Sequence, residues 1–391
     1  MTFVSNSGHR RWPSSCSSGD VMFTRIPTSS SEEISTRNDN NELIPGLPND
    51  VAEVCLLHLP YPYQALVRSV SSSWNKALTD PTLLLSRNSL SLSLPFLFVF
   101  AFNKSTATIQ FQALDPRSGR WFVLPPIPSE KDAVSCPSAF ACASLPRHGK
   151  LVVLGGVGSD AHRPTGATMV YRTSTNQWSE SAPMPTPRFS FEACHVTGKI
   201  FAVGGSSTAG EMLTAVESYD HETDTWTPSA ALPAAFSRYS WVVVGGRLCV
   251  TEGWTWPFMF SPRGAEYDAE SDTWRQMRRG MRDGWTGVSA MVGDRLVMIS
   301  EYGDCPMKVY DEDRDTWHYI GGEKFPCGPL RRPFTATGLD GKIFVISSGL
   351  NVGIGSLYDD ENGEVAVTWQ ILPAPSAFRG FSPSSCQVLY A

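Results

Sequence analysis

Six tryptophans recur at near-regular intervals and dictate what the chain can fold into. Trp121, Trp178, Trp226, Trp274, Trp317 and Trp369 stand 57, 48, 48, 43 and 52 residues apart. That matches the period of roughly 50 residues found in arrays of small stacked sheets. The register is tighter than the spacing. An aromatic or apolar residue stands seven positions before the Trp in LDPRSGRW, YRTSTNQW, YDHETDTW, YDAESDTW and YDEDRDTW, while YDDENGEVAVTW carries a four-residue insertion. Upstream lies a β-branched run behind a turn, in HGKLVVLGG, TGKIFAVGG, GGRLCVTEG, GDRLVMISE and DGKIFVISSG; the first copy keeps only LFVFAF.

Such units predict a mainly all-β protein, a six-bladed β-propeller of four-stranded blades. The first unit opens at its second strand, and SSCQVLYA remains after the sixth. This last strand is expected to complete blade one from the inside and close the ring, which removes the unpaired edges that invite aggregation. The repeat Val, Ile and Leu residues read as strand core, the Gly pairs as points of close backbone approach, and the Tyr and Trp residues as packing between blades with their polar tips bonded to backbone. Strand order also separates two faces. Hairpins of the TGK and HETDT type emerge on one, and the longer loops after each second strand emerge on the other.

The first 41 residues hold ten Ser, with four Arg balanced by four acidic residues. They are too polar to bury a core, and the expectation is a disordered tail. Residues 42–87 differ. Asn49-Asp50 can cap a helix from Val51, in which Val51, Val54, Cys55, Leu56 and Leu59 give an apolar side. Pro60 and Pro62 stop it. A second helix is expected through Leu66, Val67, Val70, Trp74 and Leu78, ended by Asp80-Pro81. About 45 residues bury too little surface to stand alone, so a partner should cover part of this module.

Composition narrows the function. Net charge is −6, without the basic footprint of a nucleic-acid binder. The longest apolar run, LPFLFVFAF at 94–102, falls short of the roughly 20 residues that span a bilayer, and no secretory h-region opens the sequence. The nine cysteines include no CxxC pair. They are expected to be reduced thiols of a protein in the cytoplasm, the nucleus or both.

The segment LIPGLPNDVAEVCLLHLPYPYQALVRSVSSSWNK resembles an F-box, and an F-box followed by six such repeats resembles the plant F-box/kelch-repeat family. The resemblance covers about 350 residues, all but the tail, and divides the chain into the tail at 1–41, an all-α F-box at 42–87 and a kelch propeller at 88–391. It implies a substrate-recognition subunit of an SCF (Skp1–cullin–F-box) ubiquitin ligase, with no catalysis and no cofactor of its own. The F-box would dock a Skp1-like adaptor, and a cullin through it, by Leu47, Pro48, Val51, Leu56, Leu59, Pro60, Leu66, Val70 and Trp74; apolar helix faces suit such an interface. Val70 and Trp74 admit a second role, holding the module together. The stretches VSSSWNK, PFLFVFAFNKSTA, TEGWTWPFMF, GWTGVS and MKVYDEDRDTW are similar to a family member acting in far-red light signalling through phytochrome A, and imply that pathway.

Target recognition is expected on the long-loop face, in loops 157–166, 206–213, 254–263, 302–306 and 350–354. Arg188, Arg238, Arg282, Arg331 and Arg379 recur near the inner strands. They read either as a positive rim around the channel mouth for an acidic or phosphorylated target segment, or as arginines bonding loop carbonyls and neighbouring carboxylates. Trp254, Trp256 and Phe258 make the fourth loop unusually apolar, either as an interface anchor or as a loop folded onto the blades. The sequence carries no HExxH, P-loop or GxSxG motif. Two rivals remain. A metal-dependent kelch enzyme needs ligands clustered at the centre, against seven dispersed histidines; a non-degradative kelch scaffold would use the same loops.

Overall fold

The computed structural model describes residues 3–4, 42–103, 105–106, 108–128, 139–158, 163–207, 210–236, 240–252 and 262–391. Six antiparallel sheets form the blades of a propeller. Blade one holds Pro95–Asn103, Thr108–Asp115 and Arg120–Val123; blade two, Ala141–Leu145, Lys150–Leu154, Thr168–Arg172 and Gln177–Ser181; blade three, Glu192–Val196, Lys199–Val203, Val216–Asp220 and Thr225–Ser229. Blade four holds Ser240–Val244, Arg247–Thr251, Gly264–Asp268 and Thr273–Gln276; blade five, Gly287–Val292, Arg295–Ser300, Met307–Asp311 and Thr316–Tyr319; blade six, Arg331–Leu339, Lys342–Ser348, Val352–Asp359 and Val365–Leu372.

The ring closes as the repeat count requires. Phe381–Tyr390 pairs antiparallel with Pro95–Asn103, from Pro95 opposite Tyr390 to Asn103 opposite Phe381. Leu94 and Ala391 exchange backbone bonds of 2.9 and 3.0 Å beyond the last pair. Two blades exceed four strands. Phe3–Val4 pairs with Trp121 and Phe122 on the outside of blade one, and Gly321–Gly322 adds in parallel to Ala366 and Val367 of blade six. Apart from Phe3 and Val4, the segment expected as a disordered tail lies outside the described residues.

The repeat aromatics join neighbouring blades through one device. The Tyr hydroxyl donates to the Asn or Asp five residues on: Tyr171 to Asn176 at 2.7 Å, Tyr219 to Asp224 at 2.8 Å, and Tyr267 to Asp272 and Tyr310 to Asp315 at 2.6 Å. These acceptors sit at φ between 49° and 54°, where Asn and Asp are better tolerated than most side chains. Two positions later the indole N–H donates to a carbonyl of the preceding blade or the segment leaving it: Trp178 to Pro125 at 2.9 Å, Trp226 to Ala182 at 2.8 Å, Trp274 to Ala230 at 2.7 Å and Trp317 to Met281 at 3.0 Å. The carboxylate accepts from the same gripped residue, Ala182 to Asp224 at 3.0 Å, Ala230 to Asp272 at 2.8 Å and Met281 to Asp315 at 2.9 Å. Where the gripped residue is Pro125 there is no N–H to accept, and the acceptor is the neutral Asn176. Trp121 and Trp369 find no indole partner among the described residues; the first copy has Leu114 in place of Tyr, and the sixth is displaced by its insertion.

Before the ring come four short helices, α1 (Asn49–Leu57), α2 (Tyr63–Val67), α3 (Ser72–Thr79) and α4 (Pro81–Ser89). The single second helix expected through Leu66 to Leu78 is split. Ser71 interrupts it, and its hydroxyl accepts from the Trp74 N–H at 3.1 Å to cap α3. Asp80 ends α3 and caps α4 through the Thr82 N–H at 2.8 Å, with Pro81 at the first helical position, where a missing N–H is no loss. The cap expected at Asn49-Asp50 is absent: α1 starts at Asn49 behind Pro48, without a side-chain cap bond. The Asn49 side chain instead accepts from the Leu43 N–H at 2.9 Å.

Candidate functional site

Helix α1 is apolar on two sides. Ala52, Leu56 and Leu57 face the interior of the module, whereas Val51 is 43% and Val54 49% exposed. Nearby, Leu47 is 37%, Leu66 44% and Val70 62% exposed, and Pro48 and Pro60 are also exposed. A helix needs one apolar stripe to fold against its neighbours. A second, uncovered one marks a surface for another protein. The expected contact set therefore divides. Leu47, Pro48, Val51, Pro60, Leu66 and Val70 are open. Leu56 is 1% exposed and corrected to a core residue, because its position on α1 turns it inward. Leu59 is half-buried, and Trp74 is half-buried with its indole N–H donating to the Leu43 carbonyl. Val54, Leu85 at 56% and Leu90 at 57% exposure were missed; for Val54 the signal was its place one turn beyond Val51.

The module is anchored to the hairpin face of blades one and two, as strand order implies. Tyr61 is buried against Phe96, Phe98 and Phe122, with ring centroids 4.9, 5.9 and 6.3 Å away. Its hydroxyl lies 3.0 Å from that of Tyr171. Arg68 donates to the Thr175 carbonyl at 2.8 Å, and Asn88 to the Arg147 carbonyl at 2.6 Å. The buried Arg87 donates to the carbonyls of Leu57, of Leu59 at 2.7 Å, of Leu92 at 3.2 Å and of Ala391 at 3.5 Å. One guanidinium thus spans α1, the linker and the closing strand.

A central channel of about 1090 Å³ runs between the inner strands. Ser144, Ser190, Ser240, Ser289, Thr335 and Ser384 line it from all six blades, and its acidic lining residues are Glu192, Glu252 and Glu301, with His195 beside them. No arginine lines the channel among the described residues, and the expected arginines divide between buried and exposed positions. Arg188 is 0% exposed. It donates to the carbonyls of Gly204 at 3.0 Å and Ala215 at 2.8 Å and pairs with Glu217 at 2.8 Å. Buried guanidinium charge demands such partners, and those partners fix Arg188 inside blade three. Arg282, in helix α5 (Arg279–Gly284), is largely buried beside Asp283. Arg331 and Arg379 are exposed. Arg331 pairs with Ser348 in the ladder, and the following Gly349 approaches the Arg379 backbone, so these two share one part of the rim.

Glu192 accepts from the Trp241 indole at 2.8 Å, and burial still lifts its carboxyl to about 7, because desolvation penalises the charged form. Arg238, Trp254, Trp256 and Phe258 lie outside the described residues. The base of their loop is described: Arg263 meets Glu252 at 2.8 Å and stacks 5.4 Å from the Phe236 ring centre. His148 and His221 bring their rings to 4.3 Å, and no group of three or more potential ligands suited to a metal ion occurs among the described residues. No helix among the described residues is long and apolar enough to cross a membrane.

Comparison with known proteins places these two parts together. The F-box domain family matches residues 44–86, and the Kelch motif family matches residues 187–233, which span blade three. The chain is 54% identical to the F-box protein AFR of Arabidopsis thaliana over 92% of its own length and 95% of that protein. It is 35% identical to an F-box/kelch-repeat protein of the same plant over 95% of this chain and 92% of the relative. The F-box/kelch-repeat protein SKIP30 of that plant is 32% identical over 46% of this chain. With an F-box-like helical module fixed to a kelch propeller, the chain belongs to the plant F-box/kelch-repeat family of substrate adaptors.

Proposed function

We propose that the chain is the target-recognition subunit of an SCF-type ubiquitin ligase. The observation that carries this reading is the uncovered apolar surface on a helical module that the propeller itself holds in place: Leu47, Val51, Val54, Leu66 and Val70 stay exposed while Tyr61 and Arg87 are buried. Residues 42–87 would bind a Skp1-like adaptor through that surface, and a cullin through the adaptor. Residues 88–391 would bind the target on the opposite, long-loop face.

The subunit performs no bond chemistry in this reading. Holding a target beside a ubiquitin-loaded enzyme turns a bimolecular encounter into a nearly intramolecular one and raises effective concentration. Arg331 and Arg379 are the arginines suited to an acidic or phosphorylated target segment, and the Trp254, Trp256 and Phe258 loop is an aromatic anchor for the same partner. The resemblance to the far-red signalling member supports a role downstream of phytochrome A, in the cytoplasm, the nucleus or both.

The test is co-purification of a Skp1-like adaptor and a cullin with the full-length chain, beside a Val51→Asp/Val70→Asp variant. Recovery with the wild type and loss with the variant is the expected result. Recovery with neither overturns the ligase reading and leaves a non-degradative kelch scaffold.

A further inference from the structure

On the hairpin face, the first residue of a blade's second strand reaches into the next blade. Arg247 meets Glu312 at 3.3 Å and Arg295 meets Asp359 at 2.9 Å, each a cation of one blade on a carboxylate of the blade that follows. Lys150 holds the same position in blade two, and it meets an imidazole instead. Its Nζ lies 3.1 Å from Nδ1 of His221, in the hairpin between the third and fourth strands of blade three. An ammonium can only donate, so a charged Lys150 needs Nδ1 as acceptor and His221 neutral. The ring of His148 stands 4.3 Å from that of His221. Arg172 sits directly opposite Lys150 in the strand ladder, where like charges repel. Two carboxylates, Glu222 and Asp224, act the other way, but Asp224 is already engaged by the Ala182 N–H and the Tyr219 hydroxyl. Half-buried, opposite a guanidinium and against two imidazoles, the Lys150 amine is placed as nucleophilic lysines are, out of bulk water and beside other cationic groups.

We propose that Lys150 is a covalent modification site, an amine that takes an acyl group from a thioester with the His221 imidazole as its base. The neutral amine attacks the thioester carbonyl carbon; the N–C bond forms as the C–S bond breaks. The surplus proton on nitrogen passes to His221 Nδ1 and on to the departing sulfur, so the products are an amide and a thiol. Burial first, and the Arg172 charge second, hold the Lys150 amine below its ordinary range, which enlarges the fraction present as free amine. Acylation cancels the charge and lengthens the side chain at the joint between blades two and three. That joint lies beside the helical module: Asn88 of α4 donates to the carbonyl of Arg147, the residue before His148, at 2.6 Å. None of this depends on what the adaptor or target surface binds.

The test incubates the full-length protein with acetyl-coenzyme A, without any acetyltransferase, over a range of pH and follows each lysine by peptide mass spectrometry. Lys199 and Lys342 open the second strands of blades three and six and serve as comparison within the same molecule. Lys150 should be acetylated severalfold faster than either, and its rate should level off at a lower pH than theirs. His221→Gln keeps an acceptor but no base, and Arg172→Gln removes the opposing charge; each should slow Lys150 severalfold and leave Lys199 and Lys342 unchanged. A Lys150 rate no higher than those of the two comparison lysines, or one that His221→Gln leaves unchanged, overturns the proposal. Arg172 lies in a strand and its variant can fail to fold; His221→Gln, in a hairpin, then decides alone.

Discussion

The hydroxyls of Tyr61 and Tyr171 meet at 3.0 Å inside the protein, and Tyr171 in turn donates to Asn176 at 2.7 Å. Since Tyr171 has spent its only hydrogen on Asn176, Tyr61 is the donor in the first bond. The helical module and blade two are thereby joined through the same Tyr that belongs to the inter-blade grip. Removing only the hydroxyl in Tyr61→Phe leaves Tyr171 an unused acceptor and should cost about 1 kcal/mol. Removing the ring in Tyr61→Ala should cost about 3–5 kcal/mol. Denaturant unfolding measures both, and Tyr61→Phe should leave adaptor affinity unchanged.

Helix α1 offers a sharper separation. Val51→Asp puts a charge on the open stripe and should lower adaptor affinity by roughly a hundredfold or more, since an unpaired charge would have to be buried in the complex. Its thermal midpoint should stay near that of the wild type. Leu56→Ala should do the reverse, costing about 2–5 kcal/mol of stability through the cavity it leaves. Binding calorimetry and thermal unfolding on the two variants would read opposite patterns.

Arg188 should behave as a structural clasp. Arg188→Ala strands Glu217 in the interior and should destabilise by about 3–5 kcal/mol. The loss should persist in high salt, because a pair this buried is little screened. Denaturant melts at low and high ionic strength decide the matter. A stable Arg188→Ala protein that merely loses target binding would restore Arg188 to the rim.

Stability should depend on pH with two opposing signs. The Ala182 and Ala230 N–H bonds hold Asp224 and Asp272 below the usual carboxylate range. A carboxylate lowered on folding stabilises above its unfolded value, and that contribution should vanish as pH falls below about 4. Glu192 is raised from 4.5 to about 7, so the folded state holds its proton longer than the unfolded chain. Its contribution is present below pH 4.5 and declines between pH 4.5 and about 7. Comparing Glu192→Gln with the wild type across that window should show the wild type losing ground as pH rises.

What the sequence made legible was what repeats locally. Each Tyr and Trp lies within one strand pair, so their spacing carried the blade count, the closing strand and the scaffold role of the aromatics. What escaped depended on distant partners. Arg188 resembled a rim residue because Glu217 stands 29 positions away and the accepting carbonyls belong to glycine and alanine, which advertise nothing. On α1 the sequence put Val51 and Leu56 on one apolar side, and only the packing of the module separates them, with Leu56 interior and Val51 open. Tyr61 was passed over between two prolines, where no helical or strand period flags a core position.

The closing strand has a consequence for how the protein is made. On a ribosome the helical module and five blades emerge complete, while Pro95–Asn103 waits with an open edge for Phe381–Tyr390, the last strand of the ring to be synthesised. Arg87 waits too, since one of its carbonyl partners is Ala391. A message truncated just before residue 381 would yield a chain with its exposed apolar stripe in place and its ring unsealed. Such a product would present the open edge of Pro95–Asn103 as a template for pairing with other chains, so the last ten strand residues protect the whole ring from aggregation.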